Sequence, residues 1–314
     1  MKTMNKDKLA PVALFVYDRL KNTKRTVEAL KKNRYAGQTV LYVFSDGGKD
    51  RVSWKRVNRL RRYLKTIQGF GQVIVRERPE NYYLERNIIE GVTSVLKKHG
   101  KVIVLEDDVT TNPFFLAYMN EALDFYKDRP AVMHISALTF WDEPGRREVI
   151  FTPYMSCGWG WATWQDRWEN FRHYKTREEA VEGLTEADFL KLEYGGNFHC
   201  LKTLDRDPIP WDICWYLTIY KKGGLCVIPP QLMSQNTGLY AGTHFNTSRI
   251  WGKYVYDRRF RMVEVKGFTT EIGPEDAYER KLADFFSQPM MRYNLLGKVA
   301  RYLYLKWKTN SRKA

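Results

Sequence analysis

Residues 102–109, Val102-Ile103-Val104-Leu105-Glu106-Asp107-Asp108-Val109, decide how this chain is organised. An apolar run that follows Gly100 ends abruptly in three acids, and aliphatic residues in such a setting predict a short buried strand. In open α/β sheets, ligands gather beyond the carboxyl ends of such strands. Three adjacent carboxylates repel one another unless a cation neutralises them. The stretch therefore predicts a divalent-metal or ligand site, with a solvated strand end as the alternative.

Strand and helix patterns alternate on both sides of this stretch. Strands are predicted at 11–16, 39–44, 72–76, 102–105 and 131–135, with helical patterns between them. Such alternation predicts an α/β fold with a mixed, mostly parallel sheet flanked by helices. Tyr17-Asp18-Arg19 and Asp46 directly follow the first two strands. They are therefore expected at the same sheet edge as the acids.

The composition limits the class of protein and of partner. The chain has 314 residues, of which 44% are hydrophobic, and a formal net charge of +16. It can bury the core of one large domain or two intimate lobes. The charge implies an anionic partner, which can be nucleic acid, a phosphorylated metabolite or an acidic membrane surface. Because no RNA-recognition, KH or zinc-finger signature is present, we expect no nucleic-acid partner.

The expected compartment is the cytoplasm. The first residues contain no secretory apolar region, and no apolar run approaches the ~18 residues of a membrane-spanning helix. The four cysteines, Cys157, Cys200, Cys214 and Cys226, lack close metal-ligand spacing. They are interpreted as small apolar residues.

Residues 151–250 are rich in Trp, Gly and Pro, as in a binding lobe. Within them, Gly158-Trp159-Gly160 allows close backbone approach beside an indole that can cover a sugar face. Three of the ten tryptophans lie within six residues here, which favours a functional role. The alternative is a tryptophan packed in a tight turn. Two capping patterns, at Thr176 and Thr185, predict short helices in this lobe.

With these segments assembled, the chain resembles nucleotide-sugar glycosyltransferases of the Rossmann-like GT-A fold. Within that group it is most similar to the inverting N-acetylglucosaminyltransferase I type and its bacterial relatives. The matching segments are Tyr17-Asp18-Arg19, Ser45-Asp46-Gly47, Leu105-Glu106-Asp107-Asp108, Asn112-Pro113-Phe114-Phe115, Gly158-Trp159-Gly160, Trp211-Asp212 and residues 238–244. The resemblance implies a single domain with a nucleotide-sugar-binding lobe (10–130) and an acceptor or catalytic lobe (131–285).

The resemblance assigns the donor-binding residues. Asp46 would contact the uracil ring, with Tyr17 and Arg19 near the nucleotide. The acids Glu106-Asp107-Asp108 would correspond to the family's Asp-x-Asp motif. Asp108 would hold Mn²⁺ or Mg²⁺ against the donor phosphates, while Glu106 and Asp107 face the sugar and ribose.

Four further residues are expected to contact the donor. Arg86 and Asn87 lie at the head of a helix that contacts the donor in the family, although an exposed surface arginine is the alternative for Arg86. Trp159 would floor the sugar pocket. His244 lies in a glycine-rich loop that would fold over the diphosphate, with a solvated loop histidine as the alternative.

Asp212 is the predicted catalytic residue. It is a single acid in an aromatic, apolar setting, where burial would raise its pKa and improve it as a proton acceptor. The resemblance places it as the base of an inverting enzyme. The structural alternative is that it caps a helix beginning at Ile213.

The implied function is a metal-dependent inverting glycosyltransferase. It would move a sugar from a UDP-sugar, similar to UDP-GlcNAc, to a hydroxyl of a glycan or lipid-linked glycan. Since no membrane anchor or secretory stem precedes the domain, a bacterial surface-polysaccharide or lipopolysaccharide precursor is the expected acceptor. The alternatives are a non-catalytic nucleotide-sugar-binding scaffold, which would not need Asp212, and a nucleotidyltransferase. The latter usually has a glycine-rich loop after the first strand, which is missing at residues 17–21.

The C-terminal segment 286–314 is predicted to form a basic amphipathic helix. It has seven basic residues and no acid, and five apolar residues fall on one helical face: Leu295, Leu296, Val299, Tyr302 and Leu303. Such a helix suits an anionic membrane surface, so peripheral attachment to the inner membrane is expected. A terminal helix docked on the core is the alternative.

Overall fold

The computed structural model describes residues 9–153, 156–238 and 260–288. Its strands are β1 (Val12–Val16), β2 (Val40–Ser45), β3 (Gln72–Glu77), β4 (Lys101–Glu106), β5 (Val109–Thr111), β6 (Val132–Ser136), β7 (Ile150–Thr152), β8 (Trp161–Trp164), β9 (Leu225–Ile228) and β10 (Ser234–Asn236). Its helices are α1 (Leu20–Lys31), α2 (Arg51–Leu64), α3 (Tyr83–His99), α4 (Phe115–Phe125), α5 (Gln165–Trp168), α6 (Arg177–Val181), α7 (Glu186–Leu192), α8 (Trp211–Lys221) and α9 (Asp276–Ser287). Short 3₁₀ turns occupy Ala36–Gln38 and Cys200–Asp205.

Eight strands form one sheet in the order β3-β2-β1-β4-β8-β6-β9-β7. The first four run parallel, and β6 is parallel to β9. Strand β8 runs antiparallel between β4 and β6, and β7 pairs antiparallel with β9. Strands β5 and β10 form a separate antiparallel pair. The prediction of a mixed, mostly parallel sheet flanked by helices is confirmed.

Strand β4 is covered on both faces, which explains its unbroken apolar sequence. Val102 and Val104 pack in one core cluster with residues of α3 and α8. Ile103 and Leu105 pack in the other, with residues of α1, α2 and α4. All four side chains are essentially inaccessible to solvent. The strand therefore delivers Glu106 from the middle of the core to the sheet edge.

Most of the tryptophan cluster is core. Trp161 is fully buried and stacks on His134 and Trp211, with ring centroids 5.5 Å and 5.3 Å apart. The indole N–H of buried Trp164 donates to the carbonyl of Leu123 at 3.1 Å. Trp161 belongs to the core cluster of α3 and α8, whereas Trp164 belongs to that of α1, α2 and α4. Two of the three neighbouring tryptophans thus serve the core, one in each cluster.

Helix α9 crosses the boundary predicted at residue 286. Phe286 is 3% exposed and packs in the core beside Tyr278 and Leu282. The proposed tail therefore cannot begin before Gln288, where the chain leaves the helix. The rest of the predicted amphipathic segment, from residue 289 onward, lies outside the described residues. Among the residues that are described, no helix is long and apolar enough to cross a membrane.

Glu279 on α9 gives a testable pH dependence of stability. Burial raises the pKa of this carboxyl to about 7, although the Tyr194 hydroxyl donates to its Oε2 at 3.3 Å. The folded state therefore holds a proton that the unfolded chain releases earlier. The corresponding stability is fully present below the unfolded pKa and is lost as pH rises through about 7.

We expect Glu279→Gln to gain stability relative to the parent between pH 5 and pH 8, by on the order of 2 kcal/mol. Urea unfolding at several pH values measures the difference. The matched control is Glu271→Gln at an exposed position, where the difference should stay constant. A pH-independent difference for Glu279→Gln would contradict the assignment.

Candidate functional site

The carboxyl ends of β1, β2 and β4 open into a cleft of about 830 Å³. Parallel strands end at the same sheet edge, so residues that follow them in sequence meet in space. The cleft brings together nine of the residues singled out from the sequence: Tyr17, Arg19, Asp46, Asn87, Glu106, Asp107, Asp108, Trp159 and Asp212. Arg86 does not line it. His244 lies outside the described residues.

The acidic run turns sharply between β4 and β5, and hydrogen bonds from distant segments hold its backbone. Thr26 Oγ1 donates to the carbonyl of Asp107 at 2.9 Å. The backbone N–H and Oγ1 of Thr237 both donate to the carbonyl of Asp108, at 2.7 Å and 3.0 Å. Because the carbonyls are satisfied in this way, the three carboxylates are left to face the cleft.

Burial strongly raises the pKa of two of these acids, Glu106 and Asp107. Asp107 and Asp108 are 2% and 6% exposed. Burial, followed by repulsion from Asp108, Asp107 and Asp212, raises the pKa of Glu106 well above its ordinary range. Burial also raises the pKa of Asp107 to about 7, despite the opposing effect of Arg19. Ionisation of these buried neighbours is unfavourable without a positive charge beside them, so the run favours a cation.

Arg19 is the cation that the chain itself supplies. Its guanidinium donates through Nε and Nη2 to Asp107, at 3.3 Å and 2.5 Å, and through Nη1 to Asp108 Oδ2 at 2.8 Å. Burial would lower the pKa of Arg19, but the charges of Asp107 and Asp108 outweigh it and raise the pKa. The sequence placed Arg19 near the nucleotide but did not predict that its guanidinium bridges the carboxylates of Asp107 and Asp108.

The residues present fit a divalent cation at Asp108. Its Oδ1 is buried and accepts no hydrogen bond from any described residue. Hard cations such as Mn²⁺ and Mg²⁺ take oxygen ligands of this kind. Within the described ranges, no three acids, histidines or cysteines converge as a complete metal site. An ion at Asp108 would therefore need further oxygen ligands from the donor or from water.

Gly238 closes against Asp108. A Cβ added to Gly238 would lie 1.9 Å from Asp108 Oδ2, closer than any side-chain contact allows. Only glycine therefore permits the chain after β10 to pack on this carboxylate.

We expect Gly238→Ala to displace the Asp108 carboxylate and weaken Mn²⁺ binding at least tenfold, because loss of one well-placed ligand removes a major part of the site. Isothermal titration with Mn²⁺ measures the change. The matched control is Gly37→Ala, where an added Cβ meets nothing within 4 Å. Unchanged Mn²⁺ affinity in Gly238→Ala would show that the contact does not shape the site.

Asp46 is fully engaged with the neighbouring loop. Its carboxylate accepts hydrogen bonds from the backbone N–H groups of Gly47 and Tyr82, at 2.9 Å and 2.7 Å, and from Asn81 Nδ2 at 3.0 Å. Burial raises the pKa of Asp46 in spite of these bonds. Asp46 therefore orders the wall of the cleft, and the uracil contact stays a prediction.

Arg86 and Asn87 separate because adjacent helical residues point about 100° apart. Asn87 is 4% exposed, lines the cleft and accepts a hydrogen bond from Arg78 Nε at 3.0 Å. Arg86 faces outward, where it pairs with Glu90 at 2.8 Å and lies over the Tyr82 ring. Asn87 thus lines the cleft, and its contact with the donor stays a prediction. Arg86 lies on the surface, as its alternative expected.

The Gly158-Trp159-Gly160 segment lies beside Trp211 and Glu106. A Cβ on Gly158 would lie 3.2 Å from Trp211 and 3.9 Å from Glu106 Oε1. Gly160 has a φ of +88°, a conformation that favours glycine. Trp159 is half-buried beside the cleft, and its carbonyl accepts a hydrogen bond from Ser234 Oγ. Gly158 thus lies near Glu106, and Trp159 lines the same cleft.

Asp212 differs from the sequence expectation in two respects. It is exposed, because Trp211, Cys214 and Trp215 take the core-facing positions of α8. It is also not the helix cap, since α8 begins at Trp211 and is preceded by Pro210. The burial argument and the capping alternative are therefore both wrong. Its charge contributes to the raised pKa of Glu106 and of Glu85, which places all three acids around one space.

Several cleft residues escaped sequence reasoning. Lys49, Arg56, Asn81, Glu85, Thr203 and Arg206 line the cleft. Arg56 pairs with Asp18 at 2.7 Å, across the gap between α2 and the loop after β1. The basic outer face of α2 was visible in the sequence, but nothing local showed which of its arginines reaches the site.

Comparison with known proteins finds similarity to solved structures alone. No family model matches the chain, and no curated protein does. A mannosyltransferase, PcManGT from Pyrobaculum calidifontis in complex with GDP-Man and Mn²⁺, is 13% identical, with a TM-score of 0.44 over 79% of this chain and 62% of its own. TarS from S. aureus is 10% identical, with a TM-score of 0.39 over 77% of this chain and 42% of its own.

Mouse xyloside xylosyltransferase 1, in its apo form, is 10% identical, with a TM-score of 0.36 over 68% of this chain and 82% of its own. The chain thus spans less than two-thirds of the mannosyltransferase and of TarS. Two of the three structures are named as sugar transferases, and the particular resemblance to N-acetylglucosaminyltransferase I stays a prediction.

Proposed function

We propose that this protein is a metal-dependent inverting glycosyltransferase that uses a UDP-sugar similar to UDP-GlcNAc. The observation that carries the proposal is the set of residues that line one cleft. It joins Asp46, the acidic run, in which Asp108 Oδ1 is buried and has no hydrogen-bond partner among the described residues, and the exposed Asp212. A nucleotide sugar needs a base pocket, a diphosphate site and a sugar site in a row. The strands next to Asp46, Arg19, Asp108 and Trp159 lie in the sheet in the order β2, β1, β4 and β8.

The diphosphate of the donor would lie beside Asp108 and Arg19. Asp108 would hold Mn²⁺ or Mg²⁺, which when bound neutralises charge on the departing diphosphate. Arg19 already orients Asp107 and Asp108 with its fork of hydrogen bonds. The nucleoside would extend from there past Tyr17 and Asn87 towards Asp46. His244 would reach the diphosphate from the loop that follows Gly238 in the sequence.

The sugar of the donor would lie between Glu106, Trp159 and Asp212. The absence of a side chain at Gly158 leaves room beside Glu106 and Trp211. The Trp159 indole can cover an apolar sugar face there. Asp212 stands at the open side of this space, where an acceptor hydroxyl would enter.

In the proposed reaction, Asp212 accepts the proton of the acceptor hydroxyl. The hydroxyl oxygen forms a bond to the anomeric carbon while the bond from that carbon to the diphosphate oxygen breaks on the opposite face. The electron pair leaves with the diphosphate, and the anomeric configuration inverts. General-base assistance of this kind typically contributes 10²–10⁴-fold.

The proposed acceptor is a glycan or lipid-linked glycan, such as a surface-polysaccharide or lipopolysaccharide precursor. The positive charge of the segment after α9 supports attachment of a cytoplasmic protein to the inner membrane, whose cytoplasmic surface is anionic. Sedimentation with anionic vesicles tests this part. Binding that survives deletion of residues 289–314 unchanged would remove the tail from that role.

A screen of nucleotide sugars for hydrolysis with Mn²⁺ tests the reaction. We expect UDP release from a UDP-sugar, its loss on chelation, and sugar transfer when a suitable acceptor is added. Donor binding without release from any nucleotide sugar would identify a scaffold. Pyrophosphate release from a nucleoside triphosphate would identify a nucleotidyltransferase.

A further inference from the structure

Helices α1 and α2 carry most of the net charge of the protein. Residues 20–32 and 51–65 contain twelve lysines and arginines and a single acid, Glu28. The formal net charge of the whole chain is +16. Eleven of the twelve are exposed. We call these eleven side chains the basic face. Among the described residues, only Lys31 and Arg56 of this set have an acidic partner, Glu28 and Asp18 respectively.

The two helices lie side by side on one face of the sheet. Both pack in the same core cluster, and Lys24 of α1 lies 5.2 Å from the ring centre of Tyr63 of α2. Lys21, Arg56 and Arg59 line one depression of about 330 Å³ between them. The like charges are therefore concentrated on one surface. Such repulsion destabilises a fold unless a polyanion neutralises it, which indicates a binding surface.

The basic face adjoins the mouth of the cleft. Asp18, Arg19 and Arg56 line both the depression and the cleft. Two exposed apolar side chains at the start of α3, Tyr83 and Leu84, also line the cleft and are 57% and 45% exposed. Val52, in the first turn of α2, is 62% exposed. Lys49 lies 4.5 Å from the Tyr83 ring centre. Lysine and arginine next to exposed tyrosine and leucine is the composition of a bilayer-interface surface.

The same surface offers little for nucleic acid. Single strands stack on successive exposed aromatic rings. Among the described residues of this surface, Arg61 and Lys24 lie over Trp54 and Tyr63, each 5.2 Å from the ring centre, and Tyr83 offers a single exposed ring. A duplex contacts phosphates and would gain nothing from Val52 and Leu84. The apolar rim and the charge together favour lipid.

We propose that the basic face docks the protein on an anionic lipid bilayer, with the cleft opening at the membrane surface. This surface is separate from the C-terminal segment. It also does not depend on the reaction, because docking needs neither donor nor metal. Its consequence is geometric: the cleft would meet acceptors that are held at the membrane rather than free in solution.

The test is vesicle sedimentation of the full chain, without donor or metal, against vesicles with 30% phosphatidylglycerol and against pure phosphatidylcholine. The test variant is Lys55→Glu/Arg59→Glu/Arg62→Glu, whose exposed positions share one side of α2 and do not line the cleft. A basic residue near an anionic surface contributes about fivefold in partitioning. We therefore expect binding to anionic vesicles to fall at least ~100-fold.

The matched control is Lys97→Glu/Lys202→Glu/Lys222→Glu, which makes the same charge change at exposed positions next to the other core cluster. It should bind within about threefold of the parent, and circular dichroism should show both variants folded. Three results would overturn the proposal. They are parental binding by the test variant, an equal loss in the control, and binding of duplex DNA but not of vesicles by the parent.

Discussion

Asp212→Asn is expected to reduce sugar transfer by ~10²-fold or more while the fold and the donor affinity remain those of the parent. The amide has the shape of the carboxylate but cannot accept the proton of the acceptor hydroxyl. Because Asp212 is exposed in the first turn of α8 and does not cap the helix, the substitution removes no buried contact. The expected change is therefore confined to turnover.

Steady-state kinetics and calorimetric donor binding separate the two quantities. Asp207→Asn is the control, since Asp207 is an exposed acid five positions before Asp212 that does not line the cleft. It should transfer sugar at the parental rate. Near-parental transfer by Asp212→Asn would show that another group takes the proton.

Asp108→Asn is expected to abolish the contribution of Mn²⁺ to the binding of a UDP-sugar. Asp108 Oδ1 is buried and accepts no hydrogen bond from any described residue, and an amide is a much weaker ligand for a hard cation than a carboxylate. Arg19 keeps its two bonds to Asp107, so the turn should stay in place.

Calorimetric titration of UDP-sugar with and without Mn²⁺ measures this contribution. In the parent, Mn²⁺ should strengthen binding at least tenfold, whereas in Asp108→Asn the two titrations should coincide. Asp128→Asn, at an exposed position outside the cleft, serves as the control. A metal-dependent gain that persists in Asp108→Asn would assign the ion to other ligands.

The sequence was most informative where periodicity and strand ends agree. The alternation of strands and helices placed Tyr17, Asp46 and the acids at one sheet edge, and the cleft unites them. This works because parallel strands share the direction of their carboxyl ends, whatever the details of side-chain packing. The rule also explains why the parallel half of the sheet was predicted more fully than the half beyond β8.

What the sequence could not provide is the direction in which a side chain points. Arg86 and Asn87 are neighbours in sequence, yet one faces solvent and the other the cleft. Asp212 sits among aromatic residues in sequence, but those residues turn to the core and leave it exposed. Burial is set by helix rotation relative to the sheet, which depends on residues far away in the chain.

The pairing of β10 with β5 has a consequence for folding. Thr237 donates to the carbonyl of Asp108 from a position 129 residues later in the chain, so this brace of the acidic turn cannot form until β10 has paired with β5. Contacts of such long sequence separation form slowly, because the intervening chain must be ordered first. Capture of Mn²⁺ during refolding should therefore lag behind the recovery of helical circular dichroism. The rate of Mn²⁺ binding would therefore report the last step of folding.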